Sequence, residues 1–301
     1  MKETMKIAVV GDVHDQWSEK DEEALQYLGV DLVLFVGDFG NESIEIVSKI
    51  SRLSLPKAVI LGNHDAWYSA TSWGRKKSPY DHSKENRVQQ QLDLLGNAHV
   101  GYGKLDFPEL GISVVGSRPF SWGGSKWKCQ EFYQQRYGVS SFEESTAKIL
   151  QQVSKTTQHN LIFVGHNGPF GLGSNPEDTC GKDWQPLGGD FGDPDFQQAI
   201  TLSRSMDKRV SLVTFGHMHH RLRHTKERLR TIINQDNHNT IYLNAAHTPR
   251  VQEILGQKAR NFSLVSLFQG DITEISLVWV SEKLEILTSA LLLSNHPSVM
   301  A

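Results

Sequence analysis

The 301-residue chain carries 34 acidic and 31 basic side chains, a net charge of −3, with 38% hydrophobic and 22% charged residues. That balance belongs to a globular protein with an extensive core; it excludes a disordered chain and supplies no basic field for nucleic acid. Any phosphate must therefore be met by a local site, and no stable nucleic-acid partner is expected. Cys129 and Cys180 lie far apart without C-x-x-C spacing, which predicts unpaired thiols in a reducing compartment. The charged start, Met1 to Lys6, precedes an apolar run too short for a signal core, and no apolar run approaches the length of a membrane span. The expectation is a cytoplasmic protein with no membrane partner.

In chain order, Ile7–Val10 reads as a buried strand running into Gly11-Asp-Val-His14. Glu19–Leu28 reads as a helix with Ser18 as its N-cap, and Leu32–Val36 as a strand ending in Gly37-Asp38. Ser43–Leu53 places Ile44, Val47 and Ile50 at helical spacing, and Ala58–Leu61 is a third strand, ending in Gly62-Asn-His-Asp65. Alternating strands and helices predict a largely parallel sheet with helices on its faces, whose ligands collect beyond the carboxyl ends of the strands.

An excursion follows. Trp67–Asp81 has no clear period and is expected to be a loop, while Lys84–Leu95, Lys126–Tyr137 and Phe142–Thr156 are expected helices. Ile112–Gly116 is a predicted strand leading into Ser117–Gly124. The sheet pattern returns at Leu161–Val164, ending in Gly165-His166, and at Leu212–Phe215, ending in Gly216-His-Met-His219. Between them Gly168–Asp195, rich in glycine, proline and aspartate, predicts a surface loop near the strand ends. Beyond Leu229, short β-type runs at Thr231–Ile233, Thr240–Ala245, Phe262–Phe268 and Ile272–Val280, with a turn at Gln269-Gly-Asp271, predict a second, mostly antiparallel sheet packed on the first. The domain expectation is one unit over 1–281 and a tail over 282–301 with a short helix at Leu284–Leu293.

Five apolar strands thus end in a glycine followed by Asp, Asn or His. Alone, each such residue would be a turn residue capping a strand. Together they form a constellation. Asp12 and His14, two apart at a strand end, can point to one side of a sheet, and His217 and His219 repeat that geometry. Asp38, Asn63 and His166 bring the donors to seven, more than the four a single tetrahedral zinc accepts. A mixed O and N set without sulfur suits two metal ions (Mn, Fe or Zn) sharing a bridging carboxylate. Such a pair clamps the attacking and leaving oxygens of a displacement at phosphorus and acidifies a bridging water into the nucleophilic hydroxide. His64 can then protonate the leaving alkoxide, with Asp65 orienting its ring.

Asp-Val-His14, Gly-Asp38, Gly-Asn-His-Asp65, Gly-His166 and Gly-His-Met-His219 resemble, in order, the five signature blocks of the calcineurin-like metallophosphoesterase superfamily. The resemblance spans residues 11 to 219. It implies a four-layer αββα sandwich of two mixed sheets flanked by helices, the metallo-dependent phosphatase fold. It also implies one metal held by Asp12, His14, Asp38 and His219, and another held by Asp38, Asn63, His166 and His217, with Asp38 bridging. Two branches fit poorly: the Asp-Arg-Gly block of the protein serine/threonine phosphatases is replaced by Asn41-Glu-Ser43, and Asn41 stands where purple acid phosphatases carry a metal-binding tyrosine. Val115–Gly124 and Asn244–Arg250 resemble, more loosely, a branch found in cyanobacteria and plant plastids.

Arg118, after a strand, is a candidate to grip a substrate phosphate, while His247 and Arg250 are read as structural. Trp73, Trp122, Trp127 and Trp184 are candidates to wall a pocket for a base or aromatic group. His220 points opposite to His219 and is left out, and His82, His99, His159, His224 and His238 are expected on the surface. The sequence therefore points to a dinuclear metal-dependent phosphoesterase acting on phosphomonoesters or phosphodiesters, with a phosphorylated small molecule or nucleotide as substrate. The competing reading is a non-catalytic scaffold of the same fold; scaffolds of this kind lose ligands, and this chain keeps every one.

Overall fold

The computed structural model describes residues 4–295. In chain order its strands are β1 (Thr4–Val10), β2 (Leu32–Phe35), β3 (Lys57–Val59), β4 (Lys104–Phe107), β5 (Ile112–Gly116), β6 (Asn160–Val164), β7 (Arg209–Phe215), β8 (Ile233–Gln235), β9 (Ile241–Asn244), β10 (Val251–Ile254), β11 (Gln257–Phe268), β12 (Asp271–Ser281) and β13 (Ile286–Ser294). Its helices are α1 (Glu19–Tyr27), α2 (Ile44–Ser51), α3 (Ser72–Lys77), α4 (Arg87–Leu95), α5 (Gln130–Tyr137), α6 (Phe142–Val153) and α7 (Pro194–Arg204). Among the described residues no helix is long and apolar enough to cross a membrane.

Two mixed sheets face each other. The first runs β13-β12-β11-β1-β2-β3, with β10 paired to β11, and the second runs β4-β5-β6-β7-β9-β8. The period of two along β1 shows why they stack. Ile7 and Val9 enter the layer between the sheets, with Leu32 and Leu34 of β2 and with Ile162, Val164, Leu212 and Leu243 from the facing sheet. Ala8 and Val10 turn the other way, onto Ala24, Leu25, Val47 and Ile50 of α1 and α2. The outer face of the second sheet presents Phe163, Val213 and Phe215 to Ile149 of α6 and to Phe196 and Ile200 of α7. Four layers result, and each fully buried aliphatic or aromatic side chain contributes about 1.5–3 kcal/mol.

The strand assignments need correction. β6 and β7 do not continue the sheet of β1 to β3; they pair in parallel with each other, and with β5 and β9, in the second sheet. Of the C-terminal strands, β8 and β9 do join that second sheet, but the longer antiparallel strands do not. β11 pairs antiparallel with β1, so β10 to β13 extend the first sheet instead. The expected helix at Leu284–Leu293 is a strand, β13, hydrogen-bonded along β12; the last residues of the predicted tail lie outside the described residues. A short apolar run satisfies either periodicity, and an open sheet edge decided between them. The β11–β12 hairpin turns on Gln269 and Gly270, both at positive φ, as a tight two-residue turn demands. Inside the expected loop at 67–81, Thr71 Oγ1 accepts from the Gly74 N–H and starts α3.

Candidate metal centre

Two sheets converge on the site through the carboxyl ends of five parallel strands, three from the first sheet and two from the second. Asp12, His14, Asp38 and His217 all hold positive φ, between 35° and 65°. That left-handed backbone costs roughly 1–3 kcal/mol per non-glycine residue and persists only where the surroundings impose it. It swings each side chain out of its strand direction toward a common point. The glycines before the donors follow from the same crowding. A Cβ on Gly62 would lie 2.3 Å from Asp38 Oδ1, and one on Gly216 would lie 2.2 Å from Asp12 Oδ1. A carboxylate from the neighbouring strand at Gly62, and from the facing sheet at Gly216, already occupies the space.

Three groups of donor atoms lie within 4.8 Å of one another: Asp12, His14 and His219; His14, Asp38 and His64; and Asp38, His166 and His217. Asp38 belongs to two of them. Asp12, Asp38, Asn63 and His166 form a buried floor, while His14, His64, His217 and His219 stand half-buried at the rim.

Hydrogen bonding fixes how the donors face. His166 Nδ1–H donates to the Val36 carbonyl at 2.7 Å, which leaves Nε2 with its lone pair inward. That nitrogen lies 2.9 Å from Asn63 Oδ1 and 3.3 Å from Asp38 Oδ1. His14 and His219 bring their Nε2 atoms to 3.4 Å, and Asp12 Oδ2 lies 3.0 Å from His219 Nε2 yet is buried with no hydrogen bond. Asp12 Oδ1 accepts from the His217 N–H, and Asp38 Oδ1 from the His64 N–H. Lone pairs facing lone pairs in a buried space repel unless a cation lies between them, so the residues present fit divalent metal ions.

The electrostatics agree for His217, while His219 is drawn into a pair with the Asp12 carboxylate. Burial opposes charge on Asp12, but His219, His166 and His14 together hold its carboxyl well below the usual range. Burial, reinforced by His166, pushes His217 well down, so its ring is neutral and able to ligate. On His219 burial works downward, but the Asp12 carboxylate outweighs it and raises the imidazole.

A profile of the calcineurin-like phosphoesterase family matches residues 5–221. This chain belongs to that family. One crystal structure superposes with a TM-score of 0.52 at 12% identity, covering 95% of this chain and all of the other. A dimetal phosphatase from Danio rerio (TM-score 0.46, 11% identity, 97% of this chain and 99% of that one) is another neighbour. So is a purple acid phosphatase from yellow lupin, Lupinus luteus, seeds (0.46, 14%, 97% and 54%). No curated protein sequence matches.

Within this calcineurin-like phosphoesterase the seven sequence-predicted donors, with His64, come together; two other predicted residues do not take their expected places. Asp65 does not touch the His64 ring. It is fully buried, and its carboxylate accepts the backbone N–H groups of Gly62, Asp38 and Phe39 at 2.7, 3.0 and 2.9 Å. It ties the β2 and β3 loops together, while burial and neighbouring Asp38 push its carboxyl up. Arg118 is not available to a substrate phosphate. Only 3% exposed, it donates to Asp193 Oδ1 at 2.8 Å and Asp195 Oδ2 at 2.9 Å, and Trp127 covers its guanidinium.

The residue that does meet the His64 ring is Asn41, whose Oδ1 lies 2.6 Å from Nδ1. The signal for it was its place three residues past Asp38, in the same loop. Trp73 and Trp122 stand near His64, both against Trp67, and Trp184 approaches from the His217 side through Phe191. His99 is not a surface residue: its Nε2 is buried without a partner, and burial drops its imidazole to about 4.

Proposed function

We propose that this protein hydrolyses phosphate esters with two metal ions, one held by Asp12, His14, Asp38 and His219, the other by Asp38, Asn63, His166 and His217. The observation that carries this reading is the shared position of Asp38, whose oxygens face two donor groups at once. When bound, the ions would acidify a bridging water and neutralise charge on the phosphate. The protein's remaining tasks fall to side chains. His166, locked by the Val36 carbonyl, and Asp38, fixed by the His64 N–H, hold the centre's geometry. His64 projects Nε2 to 4.0 Å from Asp38 Oδ2 at the open rim, where it can deliver a proton to a departing alkoxide. With Nδ1–H taken by the Asn41 carbonyl oxygen, the neutral ring presents a lone pair at Nε2, so His64 delivers a proton from Nε2 only as the imidazolium, a form that burial disfavours and neighbouring Asp38 favours.

Asn41-Glu-Ser43, in place of the protein-phosphatase block, favours small-molecule esters or nucleotides over phosphoproteins. Unpaired Cys129 and Cys180 support a cytoplasmic setting. Hydrolysis of mono- and bis-nitrophenyl phosphate by Mn-, Fe- or Zn-loaded protein tests the activity and separates monoesterase from diesterase. Metal content near zero after loading, with no turnover, would leave the scaffold reading instead.

A further inference from the structure

We propose that Trp67, braced by Trp122, is a positioning residue that holds the His64 ring for proton delivery; this rests on the reading of His64 as the acid. His64–Ala66 forms a single turn of 3₁₀ helix, with the Trp67 N–H donating to the His64 carbonyl at 3.2 Å. In a 3₁₀ turn residues three apart eclipse, so the turn lays the Trp67 indole directly over the His64 imidazole. The two rings stack with centroids 4.5 Å apart and planes 14° apart. Trp122 stacks on the far face of Trp67 at 5.3 Å and 22°, and Trp73 meets its edge at 5.9 Å.

The imidazole is therefore held in two directions. Trp67 fixes the tilt of its plane, and Asn41 Oδ1, at 2.6 Å from Nδ1, fixes rotation within that plane. His14 closes its edge at 5.0 Å and 87°. Only Nε2 is left free. Without the indole, the ring keeps a single in-plane tether and swings about it. Misplacement by about 1 Å can cost on the order of 100-fold in a step that needs alignment.

Proton delivery matters only where the leaving oxygen is a poor leaving group. An alkyl phosphate needs it; a dinitrophenyl phosphate, whose phenolate departs unassisted, does not. That contrast separates positioning from general damage. Trp67→Leu, Trp67→Phe and His64→Gln proteins, metal-loaded and matched in metal content, are assayed on both esters. The expected result is a drop of about tenfold or more in kcat of Trp67→Leu on the alkyl ester, within about twofold of wild type on the dinitrophenyl ester. KM should be unchanged and most of the loss recovered in Trp67→Phe. Equal losses on both esters, or none on either, would overturn the proposal. If His64→Gln itself shows no preference between leaving groups, the acid reading fails first and the Trp67 claim falls with it. If His64→Gln shows the preference and Trp67→Leu does not, only the Trp67 claim is refuted.

Discussion

Two buried clusters use similar residues in opposite ways. Where α1 meets β11, Asp21 accepts from Arg250 at 2.6 Å, from Arg260 at 3.1 Å and from the Ser18 N–H at 2.9 Å. Its charge is answered by the protein itself. At the strand ends, Asp12 and Asp38 are equally buried, yet imidazole nitrogens face them in place of guanidinium groups, and Asp12 Oδ2 has no hydrogen bond. In the first cluster both carboxylate oxygens are answered as folded, although Arg250 Nε and Arg260 Nε stay buried without a partner. The second is complete only with cations, so burial alone does not distinguish a structural carboxylate from a ligand; the facing atoms do.

Asp38→Asn should break the second cluster as a catalyst and spare the fold. We expect turnover to fall at least about 10³-fold, since metal assistance is worth several kcal/mol. Thermal melts of the metal-free form should match wild type or rise slightly, because a buried charge has gone. Chelation should lower the stability of metal-loaded wild type by about 3 kcal/mol for each ion if the ions are present at a hundred times their dissociation constant, and should leave Asp38→Asn unmoved.

Asp21→Leu should do the reverse. It strands Arg250 without its counter-ion and leaves Arg260 only Glu282 at 3.4 Å, a change that costs roughly 3–5 kcal/mol in urea unfolding. Metal stoichiometry should stay at the wild-type value.

His99 is a third case, a buried polar atom with neither partner nor cation. Its imidazole, near 6.5 in the unfolded chain, sits at about 4 in the fold because burial disfavours the charged form. The unfolded chain therefore binds the extra proton first. Stability is intact above pH 6.5 and is lost as pH falls toward 4, by up to about 3 kcal/mol. His99→Leu should flatten that part of the stability–pH profile, and an unchanged slope would mean other groups carry it.

The smallest effect concerns Asn41. Asn41→Ala should lower kcat on an alkyl phosphate by about tenfold, with metal content unchanged. An equal loss with an activated aryl ester would assign Asn41 to the fold of its loop instead.

These contrasts also mark how far the sequence could be read. Asp12, His14, Asp38, Asn63, His166, His217 and His219 were legible because a strand end forces a glycine before each donor group, as the crowding at Gly62 and Gly216 explains. Which sheet each strand joins was not legible, since β1 and β6 have the same apolar pattern and only long-range pairing separates them. Arg118 was misread because its two aspartates lie some 75 residues later in sequence. Asp65 adjoins His64 in sequence, but the 3₁₀ turn sends the two side chains apart, toward Gly62 and Asn41 respectively.

The most direct test of the account is anomalous diffraction from crystals of the manganese-loaded protein. Two peaks are predicted, one among Asp12, His14, Asp38 and His219 and one among Asp38, Asn63, His166 and His217, with Asp38 touching both. A single peak, or density that bypasses Asp38, would contradict it.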